Sequence, residues 1–187
     1  MSDVSGRVPA AVIERARRVR LAVFDVDGVL TDGRVVLGDD GYEYKAFHTH
    51  DGLGMRLLQD SGVDVAIITG RTSTVVSRRA EELRIRPLMQ VRSDTAAALA
   101  ELLDRLGIEA EAAAYVGDDV VDLPAMQRVG LGIAVGSATP MTRAHAEYVT
   151  CAHGGAGAAR EVAELIMAAQ GTLQARLARY LEAEATQ

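Results

Sequence analysis

Residues 21–32 read Leu-Ala-Val-Phe-Asp-Val-Asp-Gly-Val-Leu-Thr-Asp, and this stretch predicts how the rest of the chain folds. It begins as an apolar run of strand-forming residues, which is typical of a strand buried on both faces of a parallel sheet. The run ends at Asp25 and Asp27, whose side chains point to the same side of extended backbone because they are two residues apart. Open α/β sheets bind ligands at the carboxyl ends of their strands, so we expect a binding crevice here. Taken alone, the stretch also fits an Asp-rich turn after a strand.

Composition and charge narrow the class of protein. The 187 residues predict a single domain, residues 1–187, that is long enough to bury a substantial core. A formal net charge of −6 gives no general attraction to nucleic acid or to anionic membranes, so neither is expected as a partner. No apolar run approaches the length of a membrane span. Cys151 is the only cysteine, which excludes an intrachain disulfide and favours the cytoplasm.

The rest of the chain alternates between predicted strands and predicted helices. Apolar runs predict strands at 63–68, 87–91, 112–116, 131–135 and 148–150. Helical spacing predicts helices at 10–20, 51–60, 73–84, 94–106, 122–129, 140–146, 157–169 and 172–185, with caps at Thr72 or Ser73 and at Ser93 or Asp94. Period-two alternation around residues 38–41 predicts a β-hairpin at 34–48. The alternation indicates the α/β class, with a parallel sheet covered by helices on both faces.

Polar clusters follow three of the predicted strands. They are Asp25/Asp27, Thr69-Gly70-Arg71 and Asp118/Asp119. Because ligands bind beyond the carboxyl ends of parallel strands, we expect the three clusters to meet in one crevice. Oxygen ligands without histidine or cysteine suit Mg²⁺ rather than Zn²⁺. Mg²⁺ held by carboxylates and a phosphate oxygen is the usual arrangement for phosphoryl chemistry.

At this point the sequence resembles a known family. DVDGVLTDG, IITGR and YVGDDVVD are similar to the first, second and fourth motifs of the haloacid dehalogenase superfamily of phosphohydrolases. YKAFHTHDGLGMRLL, VGLGIAV and GGAGAAREV resemble one branch, the 3-deoxy-D-manno-octulosonate 8-phosphate phosphatases and related sugar-acid phosphatases. The resemblance covers roughly residues 19–170. It implies a Rossmann-like sheet and a phosphorylated acidic sugar as substrate, such as the octulosonate 8-phosphate or a nonulosonate 9-phosphate.

The resemblance implies catalytic roles residue by residue. Asp25 would be the nucleophile that takes the phosphoryl group as an aspartyl phosphate. Asp27 would protonate the leaving alcohol and then activate water for hydrolysis of the intermediate. Thr69 and the Gly70 N–H would cradle the transferring phosphoryl group.

Metal and substrate contacts follow from the same resemblance. Mg²⁺ would be held by the Asp25 carboxylate, the Asp27 carbonyl and Asp118, with Asp119 and Asp122 in support. Substrate contacts are implied at Lys45, His50, Asp51, Gly70 and Arg71. The Arg71 guanidinium suits a substrate carboxylate because its planar fork pairs with two oxygens. His50 and Ala156 depart from residues associated with substrate contact in this branch, which leaves the particular sugar open.

The third motif of the family departs most from the pattern. A lysine that neutralises phosphoryl oxygens is expected at the start of a helix, and Thr95 stands in its place. Lys45, the only lysine in the chain, lies in the predicted hairpin. Arg92 is the nearest candidate replacement and is counted as a catalytic residue. The alternative is a catalytically impaired homologue that binds a sugar phosphate or a partner without turnover.

Two further expectations concern assembly and metal binding. Only about thirty residues separate Asp32 from the second strand, so no cap domain is expected and the crevice should be open to water. In the resembling branch four subunits assemble through their hairpins, which predicts a homotetramer joined by residues 34–48. Residues 151–187 are expected to form a C-terminal tail with helices. A zinc site from His48, His50, Cys151 and His153 is a remote alternative for these residues.

Overall fold

The computed structural model describes residues 8–39, 41–92 and 94–182. Its strands are β1 Leu21–Phe24, β2 Val36–Leu37, β3 Glu43–Tyr44, β4 Asp64–Ile68, β5 Leu88–Met89, β6 Ala113–Gly117, β7 Leu131–Ala134 and β8 Tyr148–Val149. Its α-helices are α1 Ala10–Arg18, α2 Thr49–Asp60, α3 Thr74–Glu82, α4 Thr95–Leu106, α5 Leu123–Met126, α6 Pro140–Ala144, α7 Ala158–Ala169 and α8 Leu173–Glu182. A 3₁₀ turn spans Ala110–Ala112. The predicted α/β class is confirmed.

The central sheet places β1 where ligands are expected. Within the described residues, six strands lie in the order β5-β4-β1-β6-β7-β8, and all neighbours run parallel. All four residues of β1 are buried, as the apolar run predicts. From β1 the chain builds the sheet outward through β4 and β5, then returns to the other side of β1 and continues through β6, β7 and β8. The strand order therefore reverses at β1 and β6, which is where open α/β sheets form their binding crevice.

Helices cover both faces of this sheet. On one side α7 packs against both α1 and α2, and elsewhere α4 packs against α5. The Ser73 hydroxyl accepts a hydrogen bond from the Val76 N–H at the start of α3, and Asp94 accepts one from the Ala97 N–H at the start of α4. These two predicted caps are confirmed, whereas the alternative cap Ser93 lies outside the described residues.

The segment 34–60 differs from the prediction in two ways. The hairpin is shorter than 34–48, because only Val36–Leu37 and Glu43–Tyr44 pair. Helix α2 begins at Thr49 instead of Asp51, so His50, which was predicted to precede the helix, lies in its first turn. The hairpin turn includes position 40, which lies outside the described residues.

The described buried apolar residues, apart from Ala96, form one continuous cluster from Val8 to Leu173. The single domain of residues 1–187 stays a prediction, and its extent reaches beyond the described residues at both ends. Among the helices in the described part of the chain, none combines the length and apolar character needed to cross a bilayer.

Candidate active site

The loop after β1 brings Asp25 and Asp27 to the edge of the sheet. The Asp25 N–H donates to the Val116 carbonyl, 3.1 Å away, so Asp25 is held against the neighbouring strand β6. The buried Thr31 hydroxyl donates to the Val26 carbonyl and accepts from the Gly28 N–H, each at 3.3 Å. These bonds close the loop on itself, and the chain turns sharply at Gly28, which has φ +95°.

A second group of carboxylates follows β6. Asp122 is 1 % exposed, and its Oδ2 accepts from the N–H groups of Asp118 (3.0 Å) and Asp119 (3.3 Å). Its Oδ1 accepts from the Tyr115 hydroxyl at 3.2 Å. Carboxylate oxygens of Asp25, Asp118 and Asp122 lie within 4.8 Å of one another. The Asp119 side chain is exposed and bonds its neighbour's backbone N–H, on Val120.

The proximity of these acids changes their pKa values. Burial, followed by the charge of Asp122 and then those of Asp118 and Asp27, raises the pKa of Asp25 well above its usual range. Burial and the charges of Asp122, Asp119 and Asp27 raise the pKa of Asp118 to about 7. A cation between the carboxylates would relieve this repulsion. The ligands are all oxygens, so the residues present fit Mg²⁺, the expected cofactor.

Strands β4 and β5 supply the other side of the crevice. The Thr69 N–H donates to the Met89 carbonyl at 2.9 Å, and the Thr69 carbonyl accepts from the Arg92 N–H at 3.2 Å. The buried Thr95 hydroxyl donates to the Val121 carbonyl at 2.8 Å. An open cleft of about 410 Å³ runs between this side and the carboxylates, and it is lined by Asp25, Asp27, Thr69, Gly70, Arg71, Arg92, Thr95, Asp118, Asp119 and Asp122.

The hairpin contributes charged groups beside this cleft. The Lys45 ammonium contacts Asp27 Oδ1 closely and lies 3.1 Å from Glu43 Oε1. The Arg71 guanidinium lies 3.4 Å from the same Glu43 oxygen and 3.8 Å from Asp27 Oδ2. Burial alone would raise the pKa of Glu43, but hydrogen bonds from Ser73 and Lys45, together with the charges of Lys45 and Arg71, lower it overall. Two cations and two carboxylates thus form one network.

Glu43 was not among the residues predicted for the site. The sequence feature that could have indicated Glu43 is its position two residues before Lys45, because side chains at that spacing share one side of an extended segment. Which loop the pair would face was not readable from the hairpin, because that depends on how the hairpin folds back over the sheet.

Three predicted substrate contacts, Lys45, His50 and Asp51, lie outside the cleft lining that the structure describes. His50 is exposed in the first turn of α2. Asp51 is 2 % exposed, and its two oxygens accept from the backbone N–H groups of Gly157 (3.2 Å) and Arg160 (2.8 Å). Asp51 therefore caps the start of α7, a helix with no side-chain cap of its own. In this arrangement its carboxylate is occupied by the fold.

The remaining motifs also have structural contacts. The Gly155 N–H donates to the Val29 carbonyl at 2.9 Å, so the glycine-rich segment packs against the loop after β1. The zinc hypothesis is wrong for the part of the chain that the structure describes. Among the described residues, the potential metal-binding side chains that lie close together in a group of at least three are Asp25, Asp118 and Asp122. This group includes neither the predicted histidines nor Cys151.

Comparisons with known proteins show which family this chain resembles. The family model of the haloacid dehalogenase-like hydrolases matches residues 88–161 of this chain. The 3-deoxy-D-manno-octulosonate 8-phosphate phosphatase KdsC of Escherichia coli strain K12 is 47 % identical over 168 residues, which cover 90 % of this chain and 89 % of that protein.

Solved structures give the same result. The 3-deoxy-D-manno-octulosonate 8-phosphate phosphatase from Yersinia pestis superimposes with a TM-score of 0.88 at 47 % identity, covering 89 % of this chain and 90 % of that one. The enzyme of the same name from Moraxella catarrhalis, in complex with a magnesium ion, a phosphate ion and a KDO molecule, has a TM-score of 0.89 at 44 % identity, covering 90 % and 97 %. This chain therefore belongs to the haloacid dehalogenase-like hydrolases, and the resemblance seen in its motifs is confirmed.

Proposed function

We propose that this chain is a Mg²⁺-dependent phosphomonoesterase that hydrolyses a phosphorylated acidic sugar, 3-deoxy-D-manno-octulosonate 8-phosphate or a close analogue. The observation that carries the proposal is the convergence of Asp25, Asp118 and Asp122 at one cleft, with Asp27 and Thr69 on its walls. The similarity to the octulosonate phosphatases over 90 % of the chain supports the choice of substrate.

The reaction assigns two steps to the loop after β1. An Asp25 oxygen attacks phosphorus, the bond from phosphorus to the sugar oxygen breaks, and Asp27 gives its proton to the departing oxygen. Water then attacks phosphorus, Asp27 takes back a proton, and inorganic phosphate leaves while the Asp25 carboxylate is regenerated. Asp25 and Asp118 would hold Mg²⁺ with the Asp27 carbonyl, and Asp122 would orient the Asp118 loop. The ion supplies charge neutralisation between two anionic reactants.

Arg71 is the proposed contact for the substrate's own carboxylate. Its side chain is 51 % exposed at the cleft, with one guanidinium nitrogen 3.4 Å from Glu43. A guanidinium this exposed is free to exchange one carboxylate partner for another, because exposed ion pairs contribute little net stability. We therefore expect acidic sugar phosphates to be preferred over neutral ones.

Assembly completes the proposal. The hairpin exposes Val35, Val36, Leu37, Tyr42 and Tyr44. A row of exposed apolar side chains on a short hairpin is suited to contact with another copy of the chain. We propose a homotetramer joined through the hairpins, in which a neighbouring subunit helps to cover each open cleft. A cytoplasmic location stays a prediction.

Phosphate release from a panel of sugar phosphates, with Mg²⁺ and with a chelator, tests the proposed function. The matched control is Asp25→Asn, which keeps the side-chain shape and removes the nucleophile. We expect turnover that requires Mg²⁺, is fastest with the octulosonate 8-phosphate and is absent in the control. Binding of that sugar phosphate without turnover would support the alternative, an impaired homologue that lost activity with the lysine at position 95.

A further inference from the structure

The side chain of Lys45 is 1 % exposed, although it directly follows β3 in a short hairpin whose residues Val36, Leu37 and Tyr44 are exposed. A buried ammonium is costly unless it is paired and hydrogen-bonded, so its partners define its role. Those partners are Asp27 Oδ1 and Glu43 Oε1. The described residues that line the cleft include Asp27 and do not include Lys45. The Lys45 ammonium therefore contacts a residue of the cleft, Asp27, without lining the cleft itself.

The two oxygens of Asp27 have different surroundings. Oδ1 is in close contact with the buried Lys45 ammonium. Oδ2 lies 3.8 Å from Nε of Arg71, an exposed side chain that lines the cleft. One oxygen is therefore anchored in the protein, and the other is the one nearer to a cleft residue. A carboxylate held at one oxygen has a fixed orientation at the other.

Lys45 is itself held firmly. Glu43 Oε1 lies 3.1 Å from the Lys45 ammonium, and the same oxygen lies 3.4 Å from the Arg71 guanidinium. Charge-assisted contacts such as these are among the stronger interactions available to side chains. These contacts join the hairpin to the loop after β1, through Asp27, and to the loop after β4, through Arg71.

From these contacts we propose that Lys45 is a positioning residue for Asp27: it anchors one carboxylate oxygen so that the other is placed to protonate the departing sugar oxygen. The inference rests on the proposed function and deepens it. It assigns the one lysine of the chain a role different from charge neutralisation at the phosphoryl group, because its charge is already balanced by two carboxylates. A proton donor must be held within hydrogen-bond reach of its acceptor to be effective.

The leaving group separates this role from a purely structural one. A sugar alkoxide must be protonated as it departs, whereas p-nitrophenolate leaves readily without a proton. The specificity constant kcat/KM reports events up to release of the alcohol, before water enters. A misplaced Asp27 therefore lowers kcat/KM for the sugar phosphate and spares kcat/KM for p-nitrophenyl phosphate. A general loss of site structure lowers both equally.

The test compares Lys45→Met and Lys45→Arg with wild type on both substrates, with Mg²⁺ present. We expect Lys45→Met to lower kcat/KM for the best sugar phosphate about 100-fold, which is in the range for loss of a general acid. For p-nitrophenyl phosphate the same variant should lower kcat/KM less than about threefold. Lys45→Arg should recover part of the sugar phosphate activity. Asp27→Asn should show the same selective loss as Lys45→Met.

Equal losses on the two substrates, or no loss on either, would overturn the inference. If Lys45→Met fails to fold, Lys45→Arg decides, because a shifted cation should still reduce sugar phosphate turnover selectively. Wild-type protein without turnover of any sugar phosphate would instead refute the proposed function. The two failures are therefore distinguishable from wild-type data alone.

Discussion

A Cβ atom at Gly28 would lie 2.0 Å from Oδ2 of Asp118. The turn that follows the proposed nucleophile is thus packed directly against a proposed metal ligand in the loop after β6. Carboxylates from two separate loops can converge only because position 28 has no side chain. The glycine serves this close approach as well as its positive φ of +95°.

Gly28→Ala should therefore disrupt the metal site. Gly62→Ala is a matched control, because Gly62 has nearly the same φ, +97°, and a Cβ atom there would have no neighbouring atom within 4 Å. Both variants carry the backbone strain, on the order of 1–2 kcal/mol. Only Gly28→Ala should also require a much higher Mg²⁺ concentration for phosphatase activity. Titration of activity with Mg²⁺ measures this, and equal behaviour of the two variants would contradict it.

Stability without metal should fall as pH rises. The pKa of Asp118 is about 7 in the folded protein against 3.8 for an ordinary aspartate, so the folded state binds more protons than the unfolded state between these values. The free energy of unfolding must then decrease with pH across that window, by roughly 1–3 kcal/mol once partial exposure is allowed for.

Mg²⁺ should reverse this trend, because it binds the deprotonated carboxylates and stabilises the folded state more at higher pH. Thermal unfolding between pH 5 and about 8, in chelator and in Mg²⁺, measures both effects. Asp118→Asn should flatten the slope in chelator and lose the stabilisation by Mg²⁺. A melting temperature in chelator that is independent of pH would count against the raised pKa.

Arg92 is expected to supply the charge that the lysine provides elsewhere in the family. Arg92 lines the cleft, and its guanidinium pairs with Glu101 of α4; the two side chains are 32 % and 55 % exposed. Such an exposed pair contributes about 0–1 kcal/mol, so a phosphate dianion can compete for the guanidinium. Arg92→Ala should lower kcat/KM by roughly 100- to 1,000-fold, as for loss of one preorganised donor.

Glu101→Gln is the control for Arg92. It removes the competing carboxylate without touching the cleft and should leave kcat/KM unchanged or raise it. Thr95→Lys in the Arg92→Ala background should restore activity, because the lysine then returns to its family position. Full activity in Arg92→Ala would show that another group neutralises the phosphoryl oxygens.

The hairpin surface should control assembly. Leu37 is 69 % exposed on β2, and replacement by glutamate would place a charge in the proposed contact between subunits. We expect Leu37→Glu to sediment as a smaller species than wild type and to lose activity on sugar phosphates. Leu181→Glu, at a position 78 % exposed on α8, should keep the wild-type assembly. A monomeric wild type would refute the tetramer.

Local patterns in the sequence predict most of this fold. Strand β1 was predictable because a strand buried on both faces must be apolar throughout, and α4 because Asp94 marks its start and Gly107 ends it in a left-handed conformation. The hairpin length was not predictable, since period-two alternation continues past the residues that pair. Asp51 resembled the opening of α2, but its carboxylate caps α7, more than 100 residues further along the chain.

The candidate site divides in the same way. Asp25, Thr69 and Asp118 were predictable because parallel strands bring their carboxyl ends to one edge. The contact of Lys45 with Asp27 was not, because it depends on where the hairpin lies relative to the sheet. Local periodicity gives the shape of a hairpin and leaves its placement open.

The burial of Lys45 has a practical consequence. Apart from the terminal amine, this chain carries a single primary amine, and it lies in a closed ion pair under the hairpin. Amine-selective labelling would therefore report on one event, the separation of the hairpin from the loop after β1. A labelling rate followed by mass spectrometry would report that opening with no engineered probe and no background from other lysines.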